Sequence, residues 1–192
     1  MAKPVAHCDS RAFETESASV SAASKDPSRR HPVAYGIKRG ADVVISGSLL
    51  LALAPALAAI GLLVRWDSEG PALFVQERLG KDGEVFRLYK FRSMTTGAPI
   101  QFNADGSTRV EGSDARVTRV GKYLRGALDE LPQLVNVFLG QMSLIGPRPD
   151  LPLHAQYYVG DEARKLSVRP GISGLAAVIG RTELPWKTRI AI

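Results

Sequence analysis

Residues 43–64 read VVISGSLLLALAPALAAIGLLV, 22 residues without a charge. The run has the length expected of a membrane-crossing helix. A buried helix of a soluble protein is the competing reading. It is disfavoured because apolar residues go all the way round, with basic residues at both ends. Lys38 and Arg39 precede the run, while Arg65, Arg78, Lys81, Arg87, Lys90 and Arg92 follow it. The positive-inside rule places both ends in the cytoplasm, which a single straight pass cannot satisfy. Pro55 divides the run into pieces of twelve and nine residues, each roughly 14 to 18 Å long as helix. The proline removes the hydrogen bond to Leu51 and bends the helix, so a re-entrant hairpin that enters and leaves by one face is physically sensible. An ordinary bitopic helix is the alternative.

Upstream, residues 1–34 are rich in Ser, Ala and scattered charge, end near the basic run Arg29, Arg30, His31, and are expected to form a disordered tail. They lack the apolar centre of a secretory signal. The whole chain has 192 residues, 45% apolar and 23% charged, with net charge +6 and pI near 9.7. Such a balance predicts a partner rich in negative charge: nucleic acid, anionic lipid or a phosphorylated substrate. Cys8 is the single cysteine, so no internal disulfide forms, and no Cys/His cluster suggests zinc.

Downstream, residues 71–94 predict two strands around the turn Lys81-Asp82-Gly83, with Phe74 and Val75 leading in and alternation from Val85 to Phe91. Arg87, Tyr89, Lys90 and Arg92 decorate this hairpin, and Lys90 and Arg92 around Phe91 suggest a phosphate-facing edge. Residues 94–112 read as a loop with a turn at Asn103-Ala104-Asp105-Gly106. In SDARVTRVGKYLRGALDE, Val117, Val120, Leu124 and Leu128 recur at helical spacing, predicting an amphipathic helix on which Arg125 faces Asp129 one turn on.

That helix leads to LDELPQL, residues 128–134, where Asp129 and Glu130 stand just before a proline. Pro132 fits a first helical turn, so PQLVNVFL predicts a helix that Gly140 ends. The acids at its start are expected to be helped toward ionisation by the free N–H groups and the helix dipole, by about 0.3–1 kcal/mol. An ionised acid there can attack a phosphate or hold a metal, although an isolated Asp-Glu more often merely caps a helix. Next, MSLIGPRPDLP holds Arg148 between two prolines in a stiff loop suited to an oxyanion. Residues 153–168 predict a helix with Tyr157, Tyr158, Arg164 and Lys165. The glycines of VRPGISGLAAVIGR match neither a P-loop nor a dinucleotide fingerprint.

The order of these pieces, an apolar run broken by proline, then KFRSM, RVTRVGKYLRGALDELPQLVNVFLGQMSLIGPRP and VRPGISG, resembles the bacterial sugar transferase family, the monotopic phosphoglycosyl transferases. The resemblance covers about residues 38–189. It implies an α+β, mainly helical fold with a re-entrant membrane helix over 35–66. A small cytoplasmic catalytic domain over 67–192 would carry a short β-hairpin and interfacial amphipathic helices. It also implies transfer of a phosphosugar from a UDP-sugar to undecaprenyl phosphate, at the cytoplasmic side of a bacterial inner membrane and in contact with phospholipid. Carried over by residue, Asp129 becomes the nucleophile, and Glu130 the acid/base partner or a second ligand, with Asp129, of Mg2+. Lys90, Arg92, Arg125, Arg148 and Arg181 become contacts to phosphate or carrier headgroup.

Three departures qualify the resemblance. Ala54 stands where a serine usually precedes the proline. The segment usually ending Ala-Gln-Val-Asn-Gly-Arg reads Ala176-Ala177-Val178-Ile179-Gly180-Arg181, losing two polar side chains. Members usually continue for several tens of residues past Ile192, so a C-terminally shortened chain is expected, as a fragment or an inactive variant. A catalytically silent, lipid-binding adaptor is the alternative function. Nucleic-acid binding explains neither the apolar run nor the acids and is set aside. A homodimer is compatible with an extended membrane platform.

Overall fold

In the computed structural model, which describes residues 31–99, 101, 114–158, 160–175 and 178, the apolar run lies inside one long helix, α1, Pro32–Asp67. Its 36 residues amount to about 54 Å at 1.5 Å per residue. By length and composition α1 can cross a membrane, and only 6% of its most apolar window is buried. A single stripe turns toward the rest of the chain: Asp42, Ser46 and Val64 are buried, and Leu50, Leu53, Leu57, Ile60 and Asp67 are half-buried at steps of three and four. Pro55 does not divide α1 into separate elements, because the helix is continuous through it. The expected break is therefore not one of secondary structure: a proline removes one intrahelical hydrogen bond, and its leucine- and alanine-rich neighbours keep the rest.

Polar contacts fasten both ends of α1 to the same body. At its start Asp42 accepts hydrogen bonds from Ser143 Oγ (2.8 Å) and Leu144 N (3.1 Å), and Lys38 reaches both Asp42 and Ser143. Arg39 donates to the carbonyls of Val137 (2.6 Å) and Phe138 (2.9 Å). At its end Arg92 donates to the carbonyls of Val64 (3.0 Å), Ser68 (2.6 Å) and Glu69, and Asp67 Oδ2 accepts from Val120 N (2.9 Å). Terminal carbonyls of a helix lack intrahelical donors, and arginine supplies them.

The hairpin forms as the alternation predicts. β1, Leu73–Leu79, pairs antiparallel with β2, Val85–Phe91, from Leu73 opposite Phe91 to Leu79 opposite Val85. Asp82 (φ 57°) and Gly83 (φ 79°) turn the chain between them. Phe86 and Leu88 on one face pack with Val137 and Met142. Phe91 on the other packs with Val64 and Leu124. The free edge of β2 meets α3, Gln133–Leu139, through the fully buried Asn136: its Oδ1 accepts from Tyr89 N (3.1 Å) and its Nδ2 donates to Arg87 O (2.7 Å). The amide thus replaces a neighbouring strand. Helix α3 ends at Gly140 in the left-handed conformation (φ 89°), as predicted.

Two helical expectations are corrected. The helix leading to the acids is only α2, Arg119–Leu124: Thr118 caps its start, and the chain turns extended at Arg125 and passes through Gly126 at φ +105°. Residues 153–168 form two 3-10 segments, Pro152–Tyr157 and Gly160–Ser167, rather than one α-helix. The short strands β3, Ser143–Ile145, and β4, Gly171–Ser173, pair in parallel. The turn expected at 103–106 lies outside the described residues.

Candidate active site

Asp129 and Glu130 sit in a 3-10 turn, Leu128–Glu130, followed by Leu131 and Pro132 before α3 begins. They precede the helix rather than occupy its first turn, so the expected dipole assistance is not the governing influence. Burial is: it pushes the Asp129 carboxyl above the ordinary carboxylate range, Lys90 pulls it back, and Glu130 adds to the rise. Asp129 Oδ1 is buried and has no hydrogen-bond partner among the described residues. An orphaned, desolvated carboxylate oxygen is costly to maintain and is the property wanted in a nucleophile or metal ligand. Arg125 and Asp129 do not share a helix, since Gly126 separates them. The Arg125 charge still lowers the Asp129 carboxyl as a minor influence, and Arg125 Nη1 is likewise buried and unpaired.

Glu130 is held by cations. Lys90 Nζ lies 2.6 Å from Glu130 Oε1 and Arg148 Nη1 lies 3.8 Å from the same oxygen. Burial depresses the Lys90 ammonium, Glu130 opposes this, and Arg148 depresses it further. A third cation, Arg78, was not singled out by the sequence. Burial and then Arg148 lower its guanidinium to about 10, against the opposing charges of Asp150 and Glu130. The hairpin register explains its arrival: residues 74, 76, 78 and their partners 90, 88, 86 share one face, so β1 and β2 deliver Arg78 and Lys90 to the same side. The signal was available once the turn had been placed at 81–83.

Arg148 is presented by a loop clasped through glycine backbones. Gly146 N donates to Ser173 O (2.9 Å) and Gly171 N to Pro147 O (2.8 Å). A Cβ on Gly171 would lie 2.1 Å from Gly146 N, and one on Gly174 2.2 Å from Gly146 O. The glycines of VRPGISG thus permit close approach to GPRP and are not a phosphate cradle.

Arg92 is corrected. Its guanidinium is buried against the end of α1, bonded to the three carbonyls given above and to Thr96 Oγ1 (2.9 Å). Gly70 at φ +118° makes room for it, since a Cβ there would meet Arg92 Nη1 at 2.2 Å. The residue secures a helix and is not available to phosphate. Arg181 lies outside the described residues, as do Ala177 and Ile179.

The described structure thus joins an apolar, largely exposed helix, fastened at both ends, to a small domain whose acidic pair lies beside lysine and arginine. The chain belongs to the bacterial sugar transferase family, which matches residues 33–192. It is 42% identical over 147 residues to a UDP-glucose:undecaprenyl-phosphate glucose-1-phosphate transferase of Klebsiella pneumoniae, covering 74% of this chain and 31% of that one. It is 40% identical over 170 residues to the exopolysaccharide production protein PSS of Rhizobium leguminosarum bv. phaseoli, covering 81% and 82%. It is 41% identical over 159 residues to a UDP-N-acetylgalactosamine-undecaprenyl-phosphate N-acetylgalactosaminephosphotransferase of Aeromonas hydrophila, covering 77% and 35%. The chain therefore spans about a third of the length of the Klebsiella and Aeromonas relatives and most of the Rhizobium one.

Proposed function

We propose that this chain is a membrane-bound phosphoglycosyl transferase that moves a phosphosugar from a UDP-sugar to undecaprenyl phosphate, the first step of assembling an exopolysaccharide or related glycan. The observation that carries the reading is the buried Asp129 Oδ1, unpartnered among the described residues, next to a Glu130 clamped by Lys90 and Arg148. Asp129 attacks the sugar-bearing β-phosphorus, the bond to the bridging oxygen breaks, and UMP departs with that oxygen. The aspartyl phosphosugar is then attacked by a phosphate oxygen of the lipid carrier, which restores Asp129. Lys90, Arg78 and Arg148 balance the charge of the diphosphate as it approaches two acids. Arg125, whose buried Nη1 lacks a partner among the described residues, is a further candidate for a phosphate oxygen.

Magnesium belongs to the same reading. Among the described residues no three acids or imidazoles cluster as a ready cage. A hard cation that keeps waters and takes substrate phosphate oxygens needs only one or two carboxylates, and Asp129 with Glu130 fit that need through the orphaned oxygen. Bound there, Mg2+ would neutralise phosphoryl charge.

The topology is re-entrant. Support comes from the fastening of α1: residues 38–42 and 64–67 are both bonded to one polar domain, the arrangement expected of two ends on one side of a core about 30 Å thick. The exposed apolar side faces acyl chains, and the basic flanks put the domain, residues 67–192, at the cytoplasmic face. Relatives of similar identity act, by name, on glucose in Klebsiella and N-acetylgalactosamine in Aeromonas. The sugar is therefore found by assay. Membranes carrying the chain, given undecaprenyl phosphate, Mg2+ and a panel of UDP-sugars, are expected to release UMP with one or few of them. Silence across the panel refutes the reading in favour of a non-catalytic adaptor.

A further inference from the structure

The loop 147–150 has few ways of being held. Pro147 and Pro149 carry no N–H, so the strand-like ladder that would ordinarily fix such a segment cannot form. Instead its carbonyls accept from outside. Pro147 O accepts from Gly171 N (2.8 Å), Pro149 O from Arg78 Nη1 (3.2 Å), and Asp150 O from Leu79 N (2.9 Å). A further attachment among the described residues is the Asp150 side chain. Its Oδ2 accepts from Tyr158 Oη at 2.7 Å and pairs with Lys165 Nζ at 2.5 Å, with side-chain exposure of only 11% and 9% for the two charges. His154 Nδ1 lies 4.0 Å from Oδ1. Burial pushes the Asp150 carboxyl up, but Lys165 and Tyr158 more than offset this and leave it below the ordinary range. Tyr158 is itself raised by burial and by Asp150, so it remains a donor.

We infer that Asp150 is a positioning residue, which, pinned by Lys165 and Tyr158, fixes the loop so that Arg148 is aimed at the diphosphate of the substrate. The inference rests on the transferase reading for the identity of that diphosphate. Asp150 touches neither Glu130 nor Asp129 by any bond described above. It acts through the backbone: its carbonyl holds the end of β1, next to Arg78, and Arg78 in turn holds Pro149 O. Arg148, with 58% of its side chain exposed and only a 3.8 Å approach to Glu130, has little else to aim it. A point charge locked behind a proline-flanked arginine limits the freedom that arginine loses on binding.

The test measures UDP affinity, in magnesium chloride, of the full chain in phospholipid nanodiscs by titration calorimetry, alongside kcat and KM for UMP release. Asp150→Asn is combined with Lys165→Met, so that no lone ammonium is left buried and the variant folds. In an otherwise wild-type chain the pair is expected to weaken UDP about tenfold and to raise KM, and in an Arg148→Ala chain by less than about twofold, because the effect passes through Arg148. Equal losses in both backgrounds, or no loss in either, overturn the inference. A wild-type chain that binds no UDP overturns it as well. A chain that binds UDP with the expected coupling, yet releases no UMP from any UDP-sugar, supports the lock and contradicts the transferase reading alone.

Discussion

Asp129 and Lys90 set opposite demands on one another. Burial raises the acid and depresses the base, and each charge opposes the other's shift. In the proposed mechanism Asp129 attacks in its ionised form, and its folded value is raised, so activity is expected to be lost as pH falls through a midpoint above the ordinary aspartate value of about 3.9. Lys90→Met removes the charge that pulls Asp129 down. The acid limb of kcat/KM for UMP release is then expected to move to higher pH, with at least about tenfold lower activity at neutral pH. An unmoved limb would separate the two residues. At this scale the sequence was informative about identity and weak about role. Motif order named Glu130, Lys90 and Arg148, which the fold brings together, whereas it did not reveal that Arg92 is taken up by helix carbonyls, because a basic residue at a strand end looks the same whether it faces phosphate or the carbonyls of a helix distant in sequence. Asn136 gave no local signal, since Tyr89 and Arg87 lie 47 and 49 residues away, and Asp150 gave none because its partners Tyr158 and Lys165 sit at the end of one 3-10 segment and within the next, which periodicity did not resolve.

Elements meet through a few side chains that stand in for absent backbone partners. Asn136→Leu leaves the part-buried Tyr89 N–H and Arg87 C=O without their amide partner, and a loss of about 1–3 kcal/mol is expected. Thermal unfolding followed by intrinsic fluorescence in detergent reads it as a lower midpoint. Gly171→Ala places a methyl 2.1 Å from Gly146 N and 2.6 Å from Ser173 O. It is expected to part β3 from β4, releasing the Arg148 loop and lowering activity more than a hundredfold, or about 3 kcal/mol in transition-state terms. UMP-release rates normalised to folded protein check this. Periodicity found the hairpin, α3 and its terminal glycine, because alternation, a proline at the start and a glycine at the end are local causes. It overextended α2, whose helical spacing continues past Arg125 while Gly126 ends the backbone pattern. It also read the 3-10 segments after residue 152 as one helix, since apolar spacing does not distinguish a three-residue turn from a 3.6-residue one.

For the whole molecule, the apolar run was legible by length, but the fastening of its two ends was not, because it depends on Arg39, Asp42 and Arg92 finding partners far along the chain. A re-entrant α1 predicts that cysteines placed at Val33 and Trp66, in a Cys8→Ser background, both resist an impermeant maleimide in intact spheroplasts and both react after permeabilisation. Labelling of one of them in intact spheroplasts would indicate a helix that crosses to the far side. The catalytic claim is tested most directly by intact and peptide mass spectrometry of the chain, incubated with Mg2+ and its UDP-sugar in the absence of lipid acceptor. A phosphosugar adduct on Asp129 that disappears on adding undecaprenyl phosphate, and that never forms in Asp129→Asn, is the predicted result. Turnover with no adduct at any time, or with Asp129→Asn as active as wild type, would contradict it.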